Sequence, residues 1–241
     1  MSRCNHHRTF LLILAICLSW VPPLLGEWKE IGPTLNYQLV QKDFPIHLFK
    51  IDPKQWSLDI LVASHYGMTT LTAKEFREKS RATLVINGGF FNEHFKSLGL
   101  LVRKSEIINP LRKADWGIFQ VQEKTASIIH RKEWTGLGVI TAIQVGPRLL
   151  ISGKIPFFKP EQNPHRRSAV GITETGEIVI ALSESPLYLS SWAKILQQWA
   201  VSALSLDGGG SSQLSATLPG FSLEVSGTTG VPNVVAIFQK N

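Results

Sequence analysis

The chain has 241 residues, of which 44% are apolar, enough for one sizeable hydrophobic core. Its formal net charge is +7, but the basic residues are dispersed rather than gathered into a stripe with interleaved aromatic residues, which argues against nucleic-acid binding. Both cysteines, Cys4 and Cys17, lie near the N-terminus, so the rest of the chain has no disulfide, thiol nucleophile or Cys-based metal site.

The N-terminus has the pattern of a cleavable signal peptide. A basic start precedes the apolar run Phe10–Trp20, and Pro22 ends that run before the small residue Gly26. The run is shorter than the roughly 20 apolar residues that a transmembrane helix needs. We therefore predict a signal peptide at residues 1–26, a single domain at 27–241, and a secreted or periplasmic protein with no membrane span after cleavage. A retained N-terminal anchor is the alternative.

The remaining chain reads as many short strands and few helices. Two helices are predicted: Thr72–Lys79, which opens with a capping box of Thr72 and Glu75, and Ser190–Ala200, which has apolar residues at three- and four-residue spacing. Runs of apolar and β-branched residues predict the strands, and Thr173–Glu177 has the chemistry of a hairpin turn. The strands are Tyr37–Val40, Ile46–Ile51, Ser57–Val62, Thr83–Ile86, Gly117–Val121, Ser127–His130, Val139–Val145, Ala169–Ile172, Ile178–Ala181, Ala203–Leu206 and Val234–Phe238. The predicted fold class is α+β: a mostly antiparallel or mixed β-sheet with few packed helices, in a single domain.

A first motif, Asn-Gly-Gly-Phe-Phe-Asn, begins at Asn87, directly after a predicted strand. Gly88 and Gly89 permit a sharp turn or a close approach of the backbone to a ligand. Asn87 offers both a donor and an acceptor at the strand end. A plain hairpin is the alternative, because Asn-Gly is a strong hairpin signal.

A second motif follows another predicted strand. It consists of Asp207, Gly208, Gly209, Gly210, Ser211 and Ser212. The backbone amides of consecutive glycines can line a concave anion site, and the serine hydroxyls add donors. The motif is not a P-loop, because the lysine of that motif is missing. A flexible linker is the alternative.

A third element, His165-Arg166-Arg167-Ser168, leads into a predicted strand. The planar guanidinium of an arginine suits a phosphate bidentately. A solvated charged pair is the alternative.

These motifs together resemble the phosphodiester glycosidase family. The resemblance covers about Ile46 to Phe238, and the combination of Asp-Gly-Gly-Gly-Ser-Ser with Asn-Gly-Gly-Phe-Phe makes it specific. The segments that carry it are Asn87–Phe91, Gln144–Leu150, Arg167–Gly171, Leu206–Ser212 and Val231–Ala236. The chain departs from the family at Leu182–Pro186, where members commonly carry an Asp-Gly-Arg-like turn.

The resemblance implies an exported hydrolase that cleaves the glycosidic C1–O bond of a sugar-1-phosphodiester or a related envelope glycan. Asp207 would be the carboxylate nucleophile or base, and Asn87 would orient the sugar or the attacking water. The phosphate would bind Arg167 and the glycine nest. The residues expected to contact substrate are Gly88, Gly89, Gly208, Gly209, Gly210, Ser211 and Ser212. A second carboxylate is expected, with Glu93 and Glu184 as candidates.

The sequence predicts no cofactor, and no spacing of His, Asp and Glu implies a metal site. The expected partner is a carbohydrate phosphodiester or an envelope glycan, with no nucleic acid. The alternative function is a non-catalytic protein that binds envelope glycan or glycolipid on the same fold, which the altered loop at Glu184 favours. A structural protein of the cell wall is a third class.

Overall fold

A computed structural model describes residues 27–40 and 44–240. The signal peptide predicted at residues 1–26 lies outside the described residues. Within the described part of the chain, no helix is both long and apolar enough to cross a lipid bilayer.

The described chain is built mainly from short strands, with two α-helices. In chain order these elements are β1 (Lys29–Gly32), β2 (Leu35–Val40), β3 (Ile46–Ile51), β4 (Trp56–Val62), α1 (Ala73–Ser80), β5 (Leu84–Asn87), β6 (Leu101–Arg103), β7 (Glu106–Asn109), β8 (Gly117–Gln122), β9 (Thr125–His130), β10 (Val139–Val145), β11 (Arg148–Leu150), β12 (His165–Ile172), β13 (Ile178–Leu187), α2 (Leu189–Leu196), β14 (Ser202–Ser205), β15 (Leu214–Leu218), β16 (Phe221–Val225) and β17 (Asn233–Gln239).

The strands form three sheets, in which the paired strands run antiparallel. The largest has the order β1-β2-β3-β13-β12-β14-β11. The two five-stranded sheets have the orders β7-β6-β10-β8-β9 and β16-β15-β5-β17-β4. The hairpin predicted at Thr173–Glu177 is confirmed, because Thr173 N–H donates to Glu177 O at 2.9 Å and β12 pairs with β13. The α+β prediction, with a mostly antiparallel sheet and few helices in a single domain, is confirmed.

The main core lies between the seven-stranded sheet and the two five-stranded sheets. Alternate residues of each strand point to opposite faces, so Phe49 enters this core whereas Leu48 faces α2. The five-stranded sheets contribute buried residues such as Ile86 and Ile143. A second cluster around the fully buried Trp192 packs α2 against the outer face of the large sheet.

Both predicted helices are present, with different bounds for the second. The capping box of α1 is confirmed: Glu75 N–H donates to Thr72 Oγ1 at 3.2 Å, and Thr72 N–H donates to Glu75 Oε2 at 2.8 Å. The second helix, α2, ends at Leu196 rather than at Ala200. Beyond Leu196 the chain closes into turns before β14, so the apolar spacing continues further than the helical backbone.

Six strands carry no clear sequence signal. Each has only three to five residues, too few for an alternating pattern to stand out from neighbouring turns. Strand β7, for example, begins with exposed residues and has no buried face. These strands are β1, β6, β7, β11, β15 and β16.

Candidate active site

The three motifs meet where the large sheet and the β5 sheet come together. The chain leaving β14 runs between the two sheets: Leu206 N–H donates to Ser168 O at 2.9 Å, and Asp207 N–H donates to Gly88 O at 3.0 Å. Asn87 Nδ2 donates to Asp207 O at 2.7 Å. Segments separated by up to 120 residues thus form one hydrogen-bonded junction.

Asn87 lies at the centre of this junction and is 0% exposed. Its Oδ1 accepts hydrogen bonds from Ser168 Oγ at 2.7 Å and from Gln213 N–H at 3.2 Å. The side chain therefore holds three segments together and does not face solvent. The plain hairpin considered for Asn-Gly is not formed, because β5 pairs with β15 and β17, neither of which follows it directly.

Gly88 makes room for Asn233 at the start of β17. A Cβ atom on Gly88 would lie 2.0 Å from Asn233 Oδ1, so only glycine fits there. Asn233 Oδ1 accepts a hydrogen bond from Gly89 N–H at 2.7 Å, and Asn233 Nδ2 donates to Ser97 Oγ at 2.9 Å. Both glycines are buried, Gly88 against Asn233 and Gly89 against the Ile143 side chain and the Gln144 carbonyl. Asn233 lies in Val231–Ala236, one of the segments that carry the family resemblance, but its bonds to Gly89 and Ser97 are not indicated by the sequence.

The glycine motif after Asp207 forms a tight, ordered turn rather than a flexible linker. Gly209 has φ +62°, in the left-handed region that favours glycine. Ser211 N–H donates to Gly208 O at 3.3 Å, and Gly210 O accepts from Thr228 N–H at 2.9 Å. The segment after β16 therefore holds the turn in place through this hydrogen bond.

The donors of this turn divide into two groups. Gly208 N–H donates to Asp207 Oδ1 at 3.1 Å, and the Ser211 hydroxyl also bonds the Asp207 carboxylate. The amides of Gly209 and Gly210 have no acceptor among the described residues. Ser212 is fully buried, and its hydroxyl has no hydrogen-bond partner in the described part of the chain. The turn thus retains two amides that could hold an anion.

Asp207 is half-buried at the mouth of this turn. Burial raises the pKa of its carboxyl group above the usual range, while the hydrogen bonds from Ser211 and Gly208 oppose that shift. Desolvation is the larger effect, since it penalises the ionised form. A carboxyl group with a perturbed pKa at the meeting point of several strand ends is typical of an active site.

Arg167 is committed mainly to the protein. Its side chain is 8% exposed: Nε donates to Leu187 O at 2.8 Å, and Nη2 forms an ion pair with Glu161 at 2.6 Å. Glu161 also accepts the Leu189 N–H at the start of α2. The remaining nitrogen, Nη1, lies 4.0 Å from the position of a Cβ on Gly208. Arg167 therefore joins β12 to the start of α2 and reaches the glycine turn with one nitrogen.

The two candidates for a second carboxylate differ in their surroundings. Glu184 Oε1 lies 2.8 Å from Nε2 of His47, whose Nδ1 lies 2.9 Å from Tyr37 OH. Burial, and secondarily the Glu184 charge, raises the pKa of Tyr37. Glu93 has an 86% exposed side chain and lies beside His94 on the loop after the first motif. The chain Tyr37–His47–Glu184 is invisible in the sequence, because only strand register brings β2, β3 and β13 side by side.

Asn87→Asp tests the buried junction. The substitution keeps the shape but places a carboxylate oxygen against the Asp207 carbonyl, where a donor is required. We expect the free energy of unfolding at neutral pH to fall by about 1–3 kcal/mol, measured by urea denaturation. The loss should shrink at acid pH, where a protonated carboxyl can donate again. Asn163→Asp, on an exposed loop, is the control; equal stability of the two variants would contradict the role of Asn87.

Asp207→Asn tests the desolvation of the Asp207 carboxylate. Because the pKa in the folded state is raised, the folded protein binds more protons than the unfolded chain between the two pKa values. The contribution of Asp207 to stability is therefore full below its unfolded pKa and is lost as pH rises through the folded pKa. We expect the variant to melt at a higher temperature than wild type at pH 7, with the difference vanishing near pH 3. A lower melting temperature at pH 7 would show that the ionised carboxylate is needed to fix the glycine turn.

Comparisons with known proteins identify the family of this chain and its fold. The family model of the phosphodiester glycosidases matches residues 80–238. No curated protein is similar enough in sequence to count as a match. Among solved structures, the catalytic domain of zebrafish N-acetylglucosamine-1-phosphodiester alpha-N-acetylglucosaminidase, auto-inhibited by its pro-peptide, is similar with a TM-score of 0.69 and 15% identity, covering 90% of this chain and 87% of that one.

Two bacterial structures are also similar. A hypothetical protein from Synechocystis has a TM-score of 0.59 and 17% identity. The match covers 86% of this chain and 62% of that protein. A candidate exported protein from Burkholderia pseudomallei has a TM-score of 0.62 and 11% identity, covering 86% of this chain and 75% of that one. Likeness at these identities shows the fold alone. The family model spans well over half of the sequence and includes the motifs at Asn87, Arg167 and Asp207, and the chain therefore belongs to the phosphodiester glycosidase family.

Proposed function

We propose that the protein is an exported hydrolase that cleaves the C1–O bond of a sugar-1-phosphodiester or a related envelope glycan. The observation that carries the proposal is the half-buried Asp207 carboxyl at the junction of the family's motifs, followed by two glycine amides that have no acceptor among residues 27–40 and 44–240. Export is proposed from the signal-peptide pattern of residues 1–26.

In the proposed reaction, water attacks the anomeric carbon. The bond between C1 and the bridging oxygen breaks, and its electron pair leaves with the phosphate monoester. One proton of the water passes to a carboxylate, and the sugar leaves with a hydroxyl at C1. A phosphate monoester is a good leaving group, so the site's main tasks are to hold the phosphate and to stabilise positive charge developing on the sugar.

Each residue of the junction has a role in this proposal. Asp207 is the carboxylate that acts on the sugar or on the attacking water. Asn87 acts as a positioning residue, since its bond to the Asp207 carbonyl fixes the backbone that carries the carboxylate. The amides of Gly209 and Gly210 hold phosphate oxygens, and Arg167 adds its Nη1. Ser211 orients Asp207 through the hydrogen bond between their side chains.

Glu184 is our proposal for the second carboxylate. Glu184 lies on β13, two residues after Leu182, and Leu182 pairs with Ser168 on the neighbouring strand β12. Asp207 follows β14, which pairs with β12 on its other side. Two strand spacings, about 10 Å, therefore separate the two backbones, a span in which a sugar can lie. The hydrogen bond from His47 fixes a carboxyl group that is still 41% exposed. Glu93 has no comparable anchor.

Hydrolysis in H₂¹⁸O tests the reaction type. The substrates are a panel of aldose 1-(methyl phosphate) diesters, and the products are analysed by mass spectrometry. Cleavage of the C1–O bond places ¹⁸O on the released sugar and none on the methyl phosphate. Label on the phosphate would mean attack at phosphorus, as in a phosphodiesterase, and would refute the proposed chemistry.

Carboxylate variants test the assignment of the catalytic groups. We expect Asp207→Asn to lower kcat by about 100- to 10,000-fold while KM changes little, as for loss of a general base or nucleophile. Glu184→Gln should also lower kcat, whereas Glu93→Gln, its matched control on the exposed loop, should behave as wild type. Full turnover by the Asp207 variant would refute its catalytic role, and equal rates for the two glutamate variants would refute the choice of Glu184.

A non-catalytic glycan- or glycolipid-binding protein is the second candidate. The observation that favours it is that β13 continues as a strand through Leu182–Pro186 to Leu187, where family members commonly carry a turn. A binding protein would retain affinity for the diester panel and release no sugar, even at high enzyme concentration and long incubation.

A further inference from the structure

Two adjacent arginines, Arg166 and Arg167, enter β12 but have different surroundings. Successive residues of a strand point to opposite faces of the sheet. Arg167 extends to Glu161 and Leu187, near the start of α2. Arg166 instead extends toward the segment after β16, where its Nη1 donates to Ser226 O at 2.8 Å.

The charges of the two side chains are balanced differently. The guanidinium of Arg167 is neutralised by Glu161 at 2.6 Å. Among the described residues, Arg166 has no carboxylate within 4.0 Å. Its Nε is buried and has no hydrogen-bond partner in the described part of the chain. A buried donor without an acceptor is costly, and an anionic ligand at the outer nitrogens of the guanidinium would offset the positive charge that Nε shares with them.

Arg166 adjoins the glycine turn on two sides. Its carbonyl oxygen lies 3.0 Å from the position of a Cβ on Gly208, so the two backbones are in contact. Its anchor, Ser226, immediately precedes Gly227 and Thr228, and Thr228 N–H donates to Gly210 O at 2.9 Å. Within the described part of the chain, the Arg166 guanidinium without a carboxylate partner is thus bonded to the segment that contacts the turn, and the turn itself carries two amides without acceptors.

We infer that Arg166 supplies the positive charge that recognises the phosphate of the substrate, together with the amides of Gly209 and Gly210. A phosphodiester carries one negative charge, which one unneutralised guanidinium matches, and the planar fork can bind two of its oxygens. The inference rests on the proposed function for its ligand class. It assigns recognition of the phosphate charge to Arg166, whereas the sequence motif assigned it to Arg167. Arg167 then serves chiefly to fix the start of α2, and its Nη1 is a secondary donor for the phosphate.

Titration of the whole mature protein with inorganic phosphate and with methyl phosphate tests this inference. Affinity is measured by calorimetry, and the melting temperature is measured on the same preparations. We expect Arg166→Gln to weaken phosphate binding roughly ten- to hundredfold with an unchanged melting temperature. Arg166→Lys should recover part of the loss, because lysine keeps the charge without the fork. Arg81→Gln, an equal charge change at the exposed end of α1, should bind as wild type.

Arg167→Gln should lower the melting temperature, because Glu161 loses its partner, and should weaken phosphate binding by the folded protein less than Arg166→Gln does. Three results would each overturn the inference. The first is wild-type affinity in Arg166→Gln, and the second is loss of binding in Arg167→Gln at an unchanged melting temperature. The third is no phosphate binding by the wild-type protein. Turnover of the diester panel is scored separately. A protein that binds phosphate through Arg166 but releases no sugar supports the inference and refutes the hydrolase.

Discussion

The buried amide of Asn87 is the interaction on which the rest of the site depends. A side chain with no exposure must satisfy its polar atoms inside the protein, and here the partners come from three different segments. These bonds connect the end of β5 to the large sheet and to the chain leaving β14. Together with the backbone bonds from Leu206 to Ser168 and from Asp207 to Gly88, they fix the position of Asp207 relative to both sheets.

The same junction sets the electrostatics of the site. Because the two sheets close over the backbone of Asp207, its carboxyl group is partly removed from water, and its pKa rises despite two hydrogen bonds that favour ionisation. The glycines of the turn contribute differently: the Gly208 amide donates to the carboxylate, whereas the amides of Gly209 and Gly210 have no acceptor in the part of the chain that the structure describes. In the proposed function, the Asp207 carboxyl transfers the proton and the neighbouring glycine turn binds the phosphate.

Ion pairing in the folded protein distinguishes charged residues that look equivalent in the sequence. Arg166 and Arg167 are neighbours in sequence, yet Arg167 pairs with Glu161 whereas Arg166 has no carboxylate partner among the residues that the structure describes. Similarly, Glu184 and Glu93 are both acidic residues close to a motif, but only Glu184 has a buried histidine to hold it. Such distinctions depend on which side chains face each other across strands.

The sequence alone determined the fold class, the longer strands, both helices and the family, because apolar periodicity, a capping box and glycine-rich motifs are local signals. It also located Asn87 and Asp207 at strand ends. Short strands such as β6 and β11 lacked enough residues for a pattern. Only the tertiary structure decided that Asn87 is buried, that Asn233 and His47 join the networks around the site, and which arginine is neutralised. Those properties arise from register and sheet packing between residues far apart in the chain, which no local pattern encodes.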